Sequence, residues 1–178
     1  MQAKPTFANT ATNQVAPPTQ FLTFVLGGDA YAIGILSIKE IIEYTHMTEV
    51  PMMPSCIRGV INLRGAVVPV MDLQARFGQT TSAVTKRTCI VIVEVQSADS
   101  QHVMGVVVDA VNEVLDIDAA DIEPPPTFGT KIRTDFISGM GKVRGKFVIV
   151  LNVDRVLDMD DLQALEQALP AATPEITA

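Results

Sequence analysis

The chain has 178 residues, of which 48% are hydrophobic and 19% are charged, so it holds enough apolar surface for one ordinary domain or two very small ones sharing a core. Its formal net charge of −7 argues against binding to the phosphate backbone of nucleic acids. No apolar run approaches the roughly 18 residues of a spanning helix, and no apolar signal-peptide core follows Met1. The composition therefore predicts a soluble cytoplasmic protein.

The first predicted elements follow a polar amino-terminal segment. Residues 1–18 are rich in Ala, Thr, Asn, Gln and Pro and are predicted to be a disordered tail. Residues 21–26 and 31–35 predict the two strands of a hairpin, because Gly27 and Gly28 between them can adopt positive φ angles. Six further strands are predicted, at residues 60–63, 66–71, 88–95, 103–108, 140–143 and 146–152.

Helix is predicted at only two places in the chain. One short helix spans residues 72–77 and ends before Gly78, and a longer one spans residues 154–169 after an aspartate that can cap it. Short strands separated by frequent turn signals favour small β-barrels over a sheet of alternating strands and helices. The predicted class is therefore all-β.

An internal repeat connects the two halves of the chain. The segment IRGVINLRGAVVPVMDL begins at Ile57, and ISGMGKVRGKFVIVLNV begins 80 positions later at Ile137. Six aligned positions are identical: Ile57 and Ile137, Gly59 and Gly139, Arg64 and Arg144, Gly65 and Gly145, Val68 and Val148, and Val70 and Val150. A weaker match aligns the triplet that begins at Glu40 with the triplet that begins at Glu113. The repeat predicts two joined small β-barrels, because each half alone would bury little surface.

The charged residues of the repeat suggest contacts with a partner. Arg64 and Arg144 are predicted at equivalent hairpin tips, where a guanidinium group can bind a partner carboxylate through two hydrogen bonds. A turn that simply requires a polar residue would explain them equally well. Lys142, Arg144 and Lys146 alternate, and they are predicted to share one solvated strand face.

The sequence lacks a recognisable catalytic or metal-binding pattern. His46 and His102 are the only histidines, and neither lies in a ligand-spaced motif. Cys56 and Cys89 have no CxxC spacing and are predicted to be buried reduced thiols. The glycine-rich residues 139–145 lack the spacing of a phosphate-binding loop, and the acidic residues 116–123 lack the glycine and glutamate of a calcium loop. No enzymatic activity, cofactor or metal is predicted.

The sequence resembles the CheW family of bacterial chemotaxis coupling proteins over about residues 20–160. The matching segments are QFLTFVLGGDAYAIGILSIKEII, PSCIRGVINLRGAVVPVMDLQARFG, MGVVVDAVNEVLDI and GKFVIVLNVDRVL. The most specific stretch is residues 59–73. The resemblance implies two SH3-like five-stranded β-barrels that share a hydrophobic core, with a few short helical turns and a C-terminal helix.

The family resemblance also implies a domain organisation and a function. Residues 19–160 would form the CheW-like domain, with a first barrel at about 19–87 and a second at about 88–156, and strand exchange between them is left open. Residues 161–178 would form a C-terminal helix and tail. The implied function is a non-catalytic adaptor that links the cytoplasmic tip of chemoreceptors to the regulatory domain of the histidine kinase CheA in membrane-associated receptor arrays.

Family positions for partner contact or signalling fall on seven residues of this chain: Ile38, Glu40, Gly59, Arg64, Val67, Val114 and Phe128. The chain departs from the family pattern at Ala110, where a glycine is common, and at Glu123 and Thr127, where some relatives carry a basic and an acidic residue. These last two changes alter the charge pairing expected at a second kinase interface.

Three alternatives compete with this interpretation. The first is a coupling protein of another chemosensory pathway, such as twitching motility. The second is a piece of a larger signalling protein, although the terminal segments contain no receiver or kinase motif. The third is a small ligand-binding barrel or enzyme, which would require polar residues inside a barrel, whereas the predicted inward positions are Val, Ile and Leu.

Overall fold

The computed structural model describes residues 20–80, 83–97, 100–125 and 132–158. Within these ranges the chain forms eleven strands: β1 Gln20–Leu26, β2 Asp29–Gly34, β3 Ile38–Glu43, β4 Ile57–Leu63, β5 Ala66–Asp72, β6 Cys89–Ser97, β7 Ser100–Val108, β8 Ala110–Asp116, β9 Ile122–Glu123, β10 Ile137–Val143 and β11 Lys146–Leu151. Two short helices follow β5 and β11, namely α1 Leu73–Arg76 and α2 Val153–Val156.

The strands form two sheets, which confirms the predicted all-β architecture of two barrels. One sheet has five strands in the order β3-β6-β7-β5-β4, and the other has six in the order β8-β1-β2-β11-β10-β9. Most neighbouring strands are antiparallel, and each sheet contains one parallel pair, β5 with β7 and β2 with β11. The five-stranded sheet is called the first barrel below, and the six-stranded sheet is called the second barrel.

The strands are exchanged between the two halves of the chain. The amino-terminal hairpin β1–β2 belongs to the second barrel, where β1 pairs with β8 and β2 pairs with β11. Strands β6 and β7 in turn belong to the first barrel, between β3 and β5. The barrels therefore do not coincide with the expected stretches 19–87 and 88–156, because pairing of the first hairpin depends on contacts distant in sequence.

The repeated segments form the same hairpin in each barrel. Both turns have a positive φ angle at two consecutive residues, 51° and 90° at Arg64 and Gly65, and 52° and 80° at Arg144 and Gly145. Two positive φ angles in a two-residue loop define a type I′ turn, whose twist matches that of the flanking strands. Each hairpin also contains a β-bulge near the start of its first strand. The repeat is therefore present in the structure as well as in the sequence.

The main hydrophobic core joins the two barrels, as the sequence predicts. A row of aromatic rings crosses it, with centroids 6.1 Å apart between Phe24 and Tyr31, 5.8 Å between Tyr31 and Phe77, and 5.9 Å between Phe77 and Phe136. These rings come from β1, β2 and the segments next to α1 and β10. A smaller cluster fills each barrel. Burial of this shared surface holds the two barrels together.

The helices differ in part from the prediction. Helix α1 begins after Asp72, whose Oδ1 accepts hydrogen bonds from the backbone N–H groups of Gln74 and Ala75 at 3.0 and 3.2 Å. Helix α2 begins after Asn152 and ends at Val156, since the next residue, Leu157, has a φ of −101° and a ψ of 23°. The predicted continuous helix 154–169 is therefore wrong at this point. Three predicted segments lie outside the described residues: the rest of this helix from residue 159, the tail at 1–18 and the segment 161–178.

Three edge strands and one surface prediction also differ from expectation. The sequence did not predict β3, β8 or β9, because β9 has only two residues and the other two expose many of their residues and lack a long apolar run. The single solvated strand face predicted for Lys142, Arg144 and Lys146 is wrong, since the turn at Arg144 puts the two lysines on different strands. In the described part of the chain, none of the helices has the length and hydropathy of a membrane-spanning segment.

Candidate functional site

An ion pair between Arg64 and Glu40 spans the seam of the first barrel. Arg64 lies at the tip of the β4–β5 hairpin and donates hydrogen bonds to both carboxylate oxygens of Glu40 on β3. Strands β3 and β4 are the two edges of the five-stranded sheet, so the pair joins opposite ends of the rolled sheet. The hydrogen bond from Arg64 lowers the pKa of Glu40, and the same bond raises the pKa of Arg64. Arg64 remains 71% exposed, which leaves its guanidinium group accessible.

A β-bulge positions the acidic partner of this pair. In the pairing of β3 with β6, Ile38 lies opposite Val93 and Glu40 lies opposite Ile92, so Lys39 is the extra residue. A bulge bends its strand and changes the direction of the neighbouring side chains. The bulge directly precedes Glu40, at the point where the strand approaches the Arg64 turn.

The second barrel repeats this arrangement. The Nη1 atom of Arg144 lies 3.0 Å from Oε2 of Glu113 on β8. A bulge again precedes the glutamate, since Asn112 is skipped in the pairing of β8 with β1. The hydroxyl group of Thr23 also donates to the backbone carbonyl of Glu113 at 2.9 Å. Each arginine that the sequence suggested as a reader of a partner carboxylate therefore already binds a carboxylate of its own chain.

An exposed apolar side chain and an open groove lie next to Arg64. Val67 follows the turn and is 72% exposed. Strands β5 and β7 pair only from Val70 and Gly105 onward, so the preceding residues of the two strands diverge and leave a groove. The groove is flanked by Lys39 and Arg64, and its walls include Leu63, Val67, Pro69, Val103 and Met104. The structure thus brings Glu40, Arg64 and Val67 together at one end of the first barrel.

The remaining predicted site residues lie elsewhere. Ile38 is half-buried at the start of β3 and packs against the main core. Gly59 is buried in β4, and a Cβ atom at this position would lie 2.6 Å from the carbonyl oxygen of Thr48. Val114 is 49% exposed on β8, in the other barrel. Phe128 lies outside the described residues.

A hydrogen-bonded ion pair that the sequence did not predict lies behind the Arg64 hairpin. Arg58 donates from Nε and Nη2 to Oδ2 of Asp72 at 3.0 and 2.8 Å, and from Nη1 to the hydroxyl group of Tyr44 at 3.0 Å. Asp72 also caps α1, so one carboxylate connects the helix, β4 and the segment after β3. An aspartate at the end of a buried strand was the available sequence signal, but its partner depends on tertiary structure.

A second arginine connects the two halves of the chain. The Nε atom of Arg76 in α1 donates to the carbonyl oxygen of Val156 in α2 at 2.7 Å. Its guanidinium carbon lies 4.6 Å from the ring centre of Phe136. The last carbonyl groups of a helix have no partner within it, so a hydrogen bond from an arginine to the carboxyl end of α2 is favourable. Arg76 therefore fixes the position of α2 relative to α1.

One imidazole group, that of His102, lines the groove beside Arg64, whereas neither thiol does. Cys56 is buried, as predicted, whereas Cys89 is only partly buried, and burial raises the pKa of its thiol. His102 is exposed and lies 3.1 Å from the hydroxyl group of Ser100. The described ranges contain no cluster of His, Cys, Asp and Glu side chains that could hold a metal ion.

Comparison with known proteins identifies similar sequences and structures. The family model described as the CheW-like domain matches residues 20–161. The chemotaxis protein CheW of Klebsiella aerogenes is 32% identical over 147 residues, which cover 83% of this chain and 86% of that protein. The chemotaxis protein CheW of Bacillus subtilis is 30% identical over 154 residues, covering 86% and 96%.

A relative with a different name and a solved structure extend the comparison. The protein FrzA of Myxococcus xanthus is 28% identical over 146 residues, covering 81% of this chain and 88% of that protein. The crystal structure of the scaffolding protein TtCheW from Thermoanaerobacter tengcongensis matches with a TM-score of 0.72 and 34% identity, covering 82% of this chain and 91% of that chain.

Proposed function

The chain belongs to the CheW-like domain family, and from this premise we propose that it is a non-catalytic chemotaxis adaptor. It couples the cytoplasmic tips of chemoreceptors to the regulatory domain of the histidine kinase CheA, and it supports receptor array assembly and kinase control. The names of the relatives and the scaffolding protein with the same fold support this proposal. We place the protein in the cytoplasm, recruited to membrane-associated arrays.

The observation that carries the proposal is the combination of a charged and an apolar side chain on one fixed hairpin. Arg64 and Val67 are 71% and 72% exposed, and the turn between their strands is a type I′ turn. A protruding arginine beside an apolar residue is typical of the centre of a protein interface. Because Glu40 already binds Arg64, a partner carboxylate must compete with Glu40 for the guanidinium group.

We propose distinct roles for the seven predicted site residues. Glu40, Arg64 and Val67 form the contact surface of the first barrel, and Ile38 supports it from the core side of β3. Gly59 acts by allowing the segment at Thr48 to approach β4.

Val114 belongs to a second contact area on the other barrel, and Phe128, which lies outside the described residues, is proposed as a further partner contact. We propose that each area is small, so that single contacts have micromolar affinity. Stable arrays then result from several contacts acting together.

The proposal is tested by isothermal titration calorimetry with two purified partners from the same host. They are the regulatory domain of the chemotaxis kinase and a coiled-coil fragment of a receptor tip, measured separately and then together. Micromolar binding to both, with formation of a ternary complex, is the expected result. Binding to neither partner by a folded sample would overturn the proposed function.

Variants of the two equivalent arginines test which hairpin contacts the kinase domain. Arg64→Ala is expected to weaken binding to the kinase domain by about tenfold, since it removes a charged anchor from the interface. The matched control is Arg144→Ala, which removes the same ion pair from the second barrel. Equal loss of kinase binding in both variants would contradict the assignment of the contact to the Arg64 hairpin.

The alternative is a coupling protein of another chemosensory pathway. The similarity to FrzA supports it, because that relative carries a name other than CheW. Titration with the regulatory domains of every such kinase in the host distinguishes the two, since the correct kinase is expected to bind most tightly.

A further inference from the structure

The hairpin tip of the second barrel carries an unusual group of side chains. Lys142, Arg144, Lys146 and Phe147 lie around the β10–β11 turn and are called the basic tip here. Phe147 is 52% exposed, whereas the other phenylalanines in the described ranges are at most 9% exposed. Lys142 lies directly opposite Phe147 in the hairpin, with its Nζ atom 6.0 Å from the ring centre. The aromatic ring and the lysine therefore form one continuous surface.

The first barrel provides an internal control for these residues. Its equivalent hairpin has Asn62, Ala66 and Val67 where the second hairpin has Lys142, Lys146 and Phe147. Both hairpins have the same turn type, the same bulge and a buried valine after the exposed position. The fold of the hairpin therefore requires neither the two lysines nor the aromatic ring, and another property of the molecule must account for them.

The charged groups of the basic tip differ in whether a carboxylate of the chain lies close to them. Arg144 is bound by Glu113 at 3.0 Å, and the amino group of Lys142 lies 3.8 Å from a carboxylate oxygen of Glu123. Lys146 is exposed, and no carboxylate of the described residues lies within 4.0 Å of its amino group. In a chain with 20 acidic and 13 basic residues, an exposed lysine that lacks such a partner beside an exposed aromatic ring is an attractive position for an external carboxylate.

An open groove lies next to the basic tip. Strands β2 and β11 pair only at Tyr31 with Ile149 and at Ala32 with Val150, so the preceding residues of both strands diverge. The walls of the groove include the apolar residues Ala30, Leu115, Phe147 and Val148 and the acidic residues Asp29 and Glu113. The groove therefore suits one bulky apolar side chain, whereas its two carboxylates oppose an extended polyanion.

We propose that the basic tip and this groove form a docking surface for a protein segment in which a carboxylate directly flanks a bulky apolar side chain. The carboxylate pairs with Lys146, and the apolar side chain packs against Phe147 in the groove. The net charge of −7 disfavours an anionic membrane or a nucleic acid as the occupant. The surface lies on the barrel opposite to the Arg64 hairpin and uses neither its residues nor Val114, so it stands independently of the proposed function.

The test uses the full chain and a variant that copies the first hairpin. Lys142→Asn, Lys146→Ala and Phe147→Val together give the second hairpin the residues of the first, and the melting temperature is expected to change by about 3 °C or less. A displayed library of random dodecapeptides is selected on the wild-type chain and counter-selected on this variant. Peptides with Asp or Glu next to Leu, Phe, Tyr or Trp are expected to be enriched.

The enriched peptides are then measured individually by fluorescence polarisation. They are expected to bind the wild-type chain at least about tenfold more tightly than the triple variant, and to bind more weakly as salt is raised. If the triple variant does not melt cooperatively, the single substitution Lys146→Glu replaces it, since this side chain is exposed. Failure to enrich peptides that distinguish the two proteins, or enrichment of peptides without carboxylates, would overturn the proposal.

Two further measurements exclude other occupants. Sedimentation with phosphatidylserine vesicles is expected to be equally weak for both proteins, and binding of the wild-type chain alone would indicate a membrane surface instead. Analytical ultracentrifugation is expected to give the same association state for both, and a wild-type dimer that the triple variant loses would indicate a second copy of this chain. Either of these outcomes would overturn the proposal of a protein-segment partner.

Discussion

The ion pair of Arg64 and Glu40 combines accessibility with a fixed geometry. Both side chains are held by backbone features, the type I′ turn under Arg64 and the bulge before Glu40. An exposed ion pair contributes little to stability, because water solvates both charges well when they separate. Its more important consequence is that the arginine has a defined position in the free chain, which under the proposed function would reduce the entropy lost on binding a partner.

The first prediction concerns the titration of Glu40. Its pKa is lowered by the hydrogen bond from Arg64, so the stabilisation from this pair is present above the ordinary value of 4.5 and is lost as pH falls through the lowered folded-state value. We expect the carboxyl carbon of Glu40, followed by NMR, to titrate below 4.5 in the wild-type chain. The midpoint should rise in Arg64→Ala and stay unchanged in Arg144→Ala. An unchanged midpoint in Arg64→Ala would contradict the pairing.

The second prediction concerns the buried glycine of β4. In Gly59→Ala the new methyl group would lie 2.6 Å from the carbonyl oxygen of Thr48, so the two segments must move apart. We expect the free energy of unfolding to fall by about 1–3 kcal/mol, measured by urea denaturation. The control is Gly34→Ala, because φ at Gly34 is −62° and no atom lies within 4 Å of its new methyl group. Equal destabilisation in both variants would refute the close-approach explanation.

At the residue scale, local sequence signals predicted the hairpin tips but not the partners of their charged groups. An arginine followed by glycine between two apolar runs indicates a turn, and this was sufficient to predict Arg64 and Arg144 at equivalent positions. The pairing of Arg64 with Glu40 depends on the closure of a rolled sheet across its seam. No local pattern in a single sequence contains that information, and the same is true of Arg58 with Asp72.

At the scale of elements, the two halves differ in how they fix the helix after the repeated hairpin. Asp72 and Asn152 occupy equivalent positions and cap α1 and α2. Arg58, which binds Asp72, has Ser138 as its equivalent. The second half therefore folds with Ser and Asn where the first half uses an ion pair, so the cap can be separated experimentally from the charge interaction.

The third prediction uses this difference. In Asp72→Asn the cap can remain, but Arg58 loses its carboxylate and is left with a side chain that is only 22% exposed. We expect this single substitution to lower the free energy of unfolding by about 1–3 kcal/mol. The double variant Arg58→Ser with Asp72→Asn removes the arginine charge together with its carboxylate and should cost less than the sum of the two single variants. Additive losses, within about 0.5 kcal/mol by urea denaturation, would show that the two residues act independently.

The edge strands explain why element prediction was incomplete. Strand β3 alternates between half-buried and exposed residues, and its two bulge-flanking positions interrupt the regular pairing with β6. Its three isoleucines do not form one continuous run, because Lys39 and Glu40 divide them, and the strand supplies Glu40 to the seam of the barrel. Central strands such as β6 were predicted from their continuous apolar runs. The proposed contact surface thus combines a hairpin that the sequence predicted, with Arg64 and Val67, and an edge strand that it did not predict, with Glu40.

At the scale of the whole molecule, strand exchange makes the two barrels interdependent. The hairpin β1–β2 completes the barrel that contains β8 to β11. The next strands along the chain, β3 to β7, form the first barrel. The main hydrophobic cluster contains residues of both barrels and of both short helices. We therefore propose that residues 19–160 fold as one cooperative unit rather than as two separable barrels.

The last prediction tests this interdependence with two fragments, residues 1–87 and residues 88–178. The second fragment lacks β1 and β2, so β8 and β11 lose their neighbours and expose the apolar faces around Phe136 and Leu151. We expect neither fragment to melt cooperatively alone, whereas their equimolar mixture should regain a cooperative transition, because pairing across the exchange restores the shared core. The control is the full chain cleaved between residues 87 and 88 after folding, which should retain its circular dichroism spectrum. Cooperative melting of the isolated second fragment would mean that a barrel forms without the exchanged hairpin.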